Sequence, residues 1–301
     1  MSTGRLPLWV VTGALGSGKT TLIARALAGA EPGLAIVVNE LGDVALDHAL
    51  LQRTDEVAVP VGGGCACCAR REDLVAALLG LLRERDLRGV VVETSGVADP
   101  GPILFTLATH PVLVHQFRLA GVACAVDAVA GRAALAAPAA ARQLAAADRV
   151  LVTKGDLADP GPLRTAVAAR NPAAEVVTAD ALLREGEPAV VAGAAPAAHG
   201  DVPEATSVRL DGPVDWAVFS VWLSMLLHAH GARVLRVKGL LDVGGPGPVS
   251  INAVGHVVHP PAHLDAWPGE RTSRLVVIAH GLDPDALRAS LAAFRAGLTA
   301  R

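Results

Sequence analysis

Two short stretches of this sequence concentrate residues able to do chemistry. In the first, Cys65-Ala66-Cys67-Cys68 follows Val61-Gly62-Gly63-Gly64, placing three thiols in four positions on a glycine-flexed loop. Thiolates favour soft or borderline cations, Zn²⁺ above all in a tetrahedral shell. A closed structural site wants four protein ligands and this motif supplies three. The fourth is left to water, to a His or Asp from elsewhere, or to a recipient protein, and an incomplete shell suits a cation in transit. A structural zinc completed by a distant residue and a redox thiol pair are the other uses of such a cluster. The second stretch, Gly13-Ala14-Leu15-Gly16-Ser17-Gly18-Lys19-Thr20, continued by Thr21, fits G-x-x-x-x-G-K-[ST]. Glycines let backbone N-H groups wrap a phosphate, the lysine reaches the β/γ-phosphates, and the Thr20 hydroxyl can ligate Mg²⁺.

Such a loop works only between a strand and a helix, and the flanking residues provide both. Strands are expected at Leu8 to Thr12, Leu34 to Asn39, Val57 to Val61, Val90 to Glu93, Val122 to Val126, Val150 to Thr153 and Glu175 to Thr178. A helix begins at Lys19, another runs from Glu72 to Arg85 with Leu74, Val75, Leu78, Leu79 and Leu82 on one face, and a third spans Gly161 to Arg170. The Ala-rich tract from Ala133 to Ala147 also reads as helix. Strands alternating with helices predict an α/β, doubly wound, mostly parallel sheet of the P-loop NTPase type over residues 1–185. Residues 186–205, rich in Ala, Gly and Pro, read as a linker. Residues 206–301 read as a smaller α+β domain: strands at Ser207 to Leu210, Val234 to Leu241, Val249 to Val254 and Leu275 to Ala279, with helices at Val214 to His228 and Pro284 to Leu298.

Two strand ends add to the phosphate loop. Val90-Val91-Val92-Glu93-Thr94-Ser95-Gly96 is an apolar strand ending in an acid, as expected of the carboxylate on the Mg²⁺ side, with Gly96 as a pivot able to sense a γ-phosphate. Val150-Leu151-Val152-Thr153-Lys154-Gly155-Asp156 presents a base-reading turn: the Asp156 carboxylate can accept N1-H and the exocyclic N2-H₂ of guanine while the Lys154 stem lies along the ring. Thr153 stands where the guanine-reading tetrad usually has Asn.

The segments GALGSGKTT, NELGDVALDH, GGGCACC, VVVETSGVADP, RVKGLL and SRLVVIAHGLD together resemble the successive signatures of the CobW-type metallochaperone GTPases, relatives of the urease and hydrogenase nickel-insertion GTPases. The resemblance spans nearly the whole chain and implies a GTPase that binds Zn²⁺ or Co²⁺ and couples nucleotide state to metal transfer into a client protein or a cobalamin-type biosynthetic complex. It implies Cys65, Cys67 and Cys68 as metal ligands and Gly13 to Thr21 with Glu93 around phosphates and Mg²⁺. Lys154 and Asp156 would sit on guanine, and Asn39, Glu40 and Asp43 would line the first switch. Asn252-Ala253-Val254 departs from the frequent Gln-Gly-Val, and the histidine-rich linker of some members is reduced to His199, so bulk metal storage is not expected. His228 and His230 read as helix-end residues, and His256, His259 and His263, which lack a compact zinc spacing, as surface residues that could face a client; His48, after Asp47, could complete or relay metal or simply be a solvated surface residue.

The remaining composition narrows the field. Over 301 residues, 26 Lys+Arg against 29 Asp+Glu leave a formal charge of -3, and aromatics make up 3% with no tyrosine. Neither an electrostatic field for a nucleic-acid backbone nor a stacking surface for single strands is expected. No run approaches the roughly 18 to 20 apolar residues of a membrane span, and the start does not read as a signal peptide. The expected compartment is the cytoplasm, where thiols stay reduced. A homodimer is compatible with the sequence. Two other function classes fit the same residues: a P-loop ATPase or small-molecule kinase with a structural zinc, and a nucleotide-binding zinc or redox sensor.

Overall fold

The computed structural model describes residues 4–30, 32–39, 58–60, 69–84, 86–184 and 203–298. The chain divides into two compact units, Met1–Arg164 with Glu175–Pro188, and Thr165–Ala174 with Ala189–Arg301.

The first unit is built on a parallel sheet. Its elements in chain order are β1 (Leu6–Gly13), α1 (Lys19–Ala28), β2 (Leu34–Asn39), β3 (Ala58–Pro60), α2 (Ala69–Leu81), β4 (Gly89–Thr94), α3 (Gly101–Thr109), α4 (Leu113–Gln116), β5 (Phe117–Asp127), α5 (Gly131–Ala134), α6 (Pro138–Ala146), β6 (Arg149–Thr153), the start of α7 (Gly161–Arg170), whose residues from Thr165 are grouped with the second unit, and β7 (Glu175–Val177). The seven strands run in the order β3-β2-β4-β1-β5-β6-β7, and every ladder among them is parallel. Helices cover such a sheet on both faces, which is why β1 and β4 carry unbroken apolar runs and not an in-out alternation; all six residues of β4 are buried. Leu22, Ile23 and Leu27 of α1 pack with Trp9, Val11, Ile36 and Val91 in one core cluster.

Strand order reverses around β1, the switch point at which open α/β sheets bind ligands beyond the carboxyl ends of their strands. The register lines up the chemistry there. Val11 pairs with Glu93, Gly13 with Ala125 and Asp127 with Thr153. The expected strands are all present. The Ala133 to Ala147 tract, expected as helix, forms two: Pro138 opens α6 at its first turn, where its missing N-H costs nothing, and could not have sat inside a continuous helix. The helix expected from Glu72 to Arg85 runs from Ala69 to Leu81.

The second unit contains β8 (Glu204–Leu210), α8 (Trp216–His230), β9 (Val234–Leu241), β10 (Val249–Val254), β11 (Val257–Val258), β12 (Ala262–His263), β13 (Ser273–Ala279) and α9 (Pro284–Leu298). The sheet order is β11-β10-β9-β13-β8, with β12 also on β10, and its ladders are antiparallel. Asp215 caps α8 by accepting the Val218 amide at 3.1 Å. Phe219, Trp222, Leu223 and Leu226 of α8 join Val237, Leu241, Ile251, Leu275 and Val277 of the sheet in one core, with Leu287 and Leu291 of α9. The Trp222 indole donates to Ser290 Oγ at 3.1 Å, satisfying its one polar atom and tying the two helices together.

Beyond the end of β9, Asp242 accepts Arg271 Nε at 2.7 Å and Nη2 at 2.9 Å, and its own amide donates to Ser273 Oγ at 2.8 Å. The Arg271 guanidinium, helped by the Gly244 amide, holds the Asp242 carboxyl below its ordinary pKa. A depressed carboxylate pKa adds stability above the unfolded value, and that stability is lost as pH falls through the folded value. Arg271→Met should therefore lower the urea midpoint of the full chain at pH 7, and the gap to the wild type should narrow below about pH 3.9. A gap independent of pH would show that the ion pair is not its source.

Candidate functional site

The loop between β1 and α1 is held open by backbone that only glycine adopts comfortably. Gly16 and Gly18 have φ of 72° and 86°, and Gly18 supplies the left-handed N-cap of α1 without any side-chain cap. The first amides of α1 are thus left to face a ligand, with the positive end of the helix dipole behind them. Gly13 is constrained by space as well as by φ: a Cβ there would lie 2.4 Å from Ala125 O.

Lys19 is buried and its Nζ donates to Gly13 O at 3.0 Å and Ala14 O at 3.2 Å, so the ammonium is folded over its own loop. Thr20 Oγ1 donates to Glu93 Oε1 at 2.9 Å. This bond joins the loop hydroxyl and the β4 carboxylate, residues 73 apart in the chain. A second hydroxyl pair, Thr94 Oγ1 donating to Thr12 Oγ1 at 2.8 Å, clamps β4 to β1 beside it. Ser17 Oγ is buried and has no hydrogen-bond partner among the described residues. An unsatisfied hydroxyl inside a phosphate loop, next to a lysine and a Thr-carboxylate pair, fits a site for phosphates and Mg²⁺. Thr21, the next residue, is exposed on α1.

At the end of β6, Thr153 ties together three segments of the site. Its hydroxyl lies 2.7 Å from Ser17 O and 3.3 Å from Val126 O, linking the turn after β6 to the phosphate loop and to β5. Lys154 follows with φ 54°, the one non-glycine residue with positive φ among the described residues. Its Nζ meets Asp127 Oδ2 at 2.5 Å. Burial pushes the Asp127 carboxyl up, but Lys154 and the amides of Val129 and Ala130 more than offset this and leave it below its ordinary pKa. The strained lysine is therefore held by a charged partner. Asp156 lies exposed in the same turn.

Cys65, Cys67 and Cys68 lie outside the described residues, as do Glu40, Asp43 and His48. Asn39 ends β2, level with Thr94. Among the described residues no group of three or more His, Cys, Asp or Glu side chains could hold a metal ion. Cys124 is buried in β5; burial pushes its thiol up to about 12, against a smaller opposing pull from Lys19, so it is a neutral thiol and not a thiolate ligand. The sequence reading missed Asp127 and Gln143. Asp127 repeats the signal that exposed Glu93, an apolar strand ending in an acid. Gln143, the lone amide of the Ala-rich tract, is fully buried and donates to Gly96 O at 3.2 Å and Ala98 O at 3.0 Å. No helix among the described residues is long and apolar enough to cross a membrane.

A phosphate loop seated at the switch point of a doubly wound sheet defines a P-loop nucleotide-binding protein. Within that class the chain belongs to the CobW/HypB/UreG family: residues 7–178 match the model for its nucleotide-binding domain, and residues 204–295 match that of the cobalamin synthesis protein cobW C-terminal domain. Zinc chaperone YjiA of Escherichia coli strain K12 is 32% identical over 95% of this chain and 98% of its own. Zinc chaperone CobW of a Sinorhizobium species is 29% identical over 96% and 97%. The crystal structure of Zn(II)-bound YjiA GTPase from E. coli superimposes with a TM-score of 0.71 at 26% identity, covering 97% of this chain and 99% of that one.

The Thr153 bridge generates a test. Thr153→Val keeps the shape and removes the hydroxyl, and should lower stability by about 1 kcal/mol in urea titration. It should also weaken binding of a fluorescent guanine nucleotide, whereas Thr153→Asn restores a donor and should recover most of that affinity. Nucleotide affinity unchanged in the valine variant would remove the bridge from the site.

Proposed function

We propose that this protein is a GTP-hydrolysing metallochaperone that carries Zn²⁺ as cargo on Cys65, Cys67 and Cys68 and couples its release to a client protein to the state of the nucleotide. The observation that carries the nucleotide half is the Thr20–Glu93 hydrogen bond, which brings the phosphate-loop hydroxyl onto an acidic strand end. The zinc half is supported by relatives named as zinc chaperones and by three thiols whose spacing suits one soft cation. Co²⁺ is the alternative cargo. In this reading residues 1–185 form the GTPase domain, 186–205 the linker and 206–301 the C-terminal domain.

Lys19 exchanges the carbonyls of Gly13 and Ala14 for β/γ-phosphate oxygens, keeping its charge at a buried position where it acts strongly. Thr20 and Glu93 are the residues that would hold Mg²⁺, which when bound neutralises charge developing on the transferred phosphoryl group. Gly13, Gly16, Ser17, Gly18 and Thr21 complete the phosphate cradle. Asp156 accepts the two guanine N-H groups and the Lys154 stem covers the ring. Turnover without a partner should be slow, about 10⁻⁴ to 10⁻³ per second, as in GTPases without a supplied arginine. Segments Asn39 to Asp47 and Gly96 to Pro100 act as switches, and linkage requires that nucleotide and zinc alter each other's affinity by the same factor.

Chelator-competition titration of zinc into the nucleotide-free, GDP-loaded and GTP-analogue-loaded protein tests the coupling. The zinc Kd should differ between nucleotide states by at least about 5-fold, and Cys67→Ser should weaken zinc in every state. Equal Kd values in all three states would end the carrier reading. Asp156→Asn should move preference from GTP toward xanthosine triphosphate, because the amide offers a donor to the added carbonyl; undiminished GTP preference would show that Asp156 does not read the base.

A further inference from the structure

Resting on the nucleotide site just proposed, we infer that Gln143 is a positioning residue for its triphosphate end, holding the Ser95–Ala98 loop against the phosphate loop before GTP arrives. Gln143 is 0% exposed and sits on α6, a helix otherwise made of Ala, Leu, Pro and Arg. A primary amide has two N-H donors, and its Nε2 reaches two carbonyls of one loop, Gly96 O at 3.2 Å and Ala98 O at 3.0 Å. The loop is closed on itself by the Ala98 amide donating to Ser95 O at 3.0 Å.

Gly96 is pressed onto the phosphate loop: a Cβ there would stand 2.5 Å from Leu15 N and 2.6 Å from Leu15 Cα. The segment following Glu93 is thus gripped from α6 on one flank and abuts the phosphate loop on the other. Gln143 also lines, with Ala14, Leu15 and Ser17, a cleft of ≈ 60 Å³ behind that loop. The neighbouring Arg142 pairs with Asp99 at 3.1 Å, but both side chains are about 40% exposed, so this contact adds little. The buried amide is the stronger hold.

The physical consequence is selective. In the proposed reading, in which Gly96 senses the γ-phosphate, a terminal phosphate meets the Ser95–Ala98 loop and a diphosphate does not. A loop already docked needs less ordering on binding, and pre-organisation of this kind raises affinity for the ligand that touches it. Gln143 therefore sets discrimination between GTP and GDP without contacting either.

Two variants of the full chain test this. Gln143→Met keeps the bulk and loses both donors; Gln143→Glu keeps the shape and sets an acceptor against two carbonyls. In each, the Kd of a non-hydrolysable GTP analogue with Mg²⁺ should rise roughly tenfold while that of GDP stays within about twofold, and the KM for GTP should rise more than kcat falls. Equal weakening of both nucleotides, or no change in either, would reduce Gln143 to a packing residue and overturn the inference. A wild-type chain that binds neither nucleotide defeats the functional reading and this inference together; one that binds both while the variants keep its Kd ratio defeats only the inference. If the variants melt below the assay temperature, amide exchange of residues 95–99 in the wild type decides. Protection present with GDP and scarcely raised by the analogue supports a pre-set loop, whereas protection arising only with the analogue overturns it.

Discussion

The nucleotide half of this molecule depends on backbone meeting backbone with no side chain between. Gly13 leaves β1 so close to β5 that a single methyl group would overlap Ala125 O, and Gly96 lies equally close to Leu15 on the other side. These two approaches fix where the phosphate loop sits between β4 and β5, and hence where Thr20 finds Glu93 and where Thr153 finds Ser17. An alanine at either position would force backbone to move, which is costly in an interior packed to crystal density. The polar bonds around the loop are consequences of that geometry, since each spans many residues and could not form were the loop displaced by an ångström or two.

Around this constraint the site is built in pairs that place a charge against a fixed partner. Lys19 is satisfied by loop carbonyls, Lys154 by Asp127, and Glu93 by Thr20. Lys19 is thus paired at a buried position, where a bare charge would cost several kcal/mol, whereas Lys154 is exposed and its pair is worth less. In the proposed function Lys19 alone would exchange its carbonyl partners for phosphate oxygens.

Much of this was legible in the sequence. The seven strands of the first unit announce themselves because buried parallel strands are continuous apolar runs, and the phosphate loop is legible because its glycines and lysine are fixed by local backbone geometry. Glu93 could be named for the same reason, a lone acid at the end of an apolar strand. Gln143 could not, because its role depends on α6 lying across the Ser95–Ala98 loop, a tertiary fact with no periodicity of its own. Thr153 departs from the Asn expected there, and what the sequence did not reveal is that its hydroxyl reaches Ser17 O in the phosphate loop. The break in the Ala-rich tract was written in Pro138, which helix-favouring neighbours had obscured. The thiol cluster was read from residue type and spacing, and its residues lie outside the described ones.

The state of Cys124 sets the sulfur economy of the chain. A buried thiol that ionises only near pH 12 neither captures a soft cation nor reacts readily with a small electrophile at neutral pH. One of the four cysteine thiols is therefore chemically mute in the folded protein. A thiol label taken up under native conditions does not report on Cys124, and labelling of that residue marks unfolding of β5, the strand that Gly13 of the phosphate loop abuts.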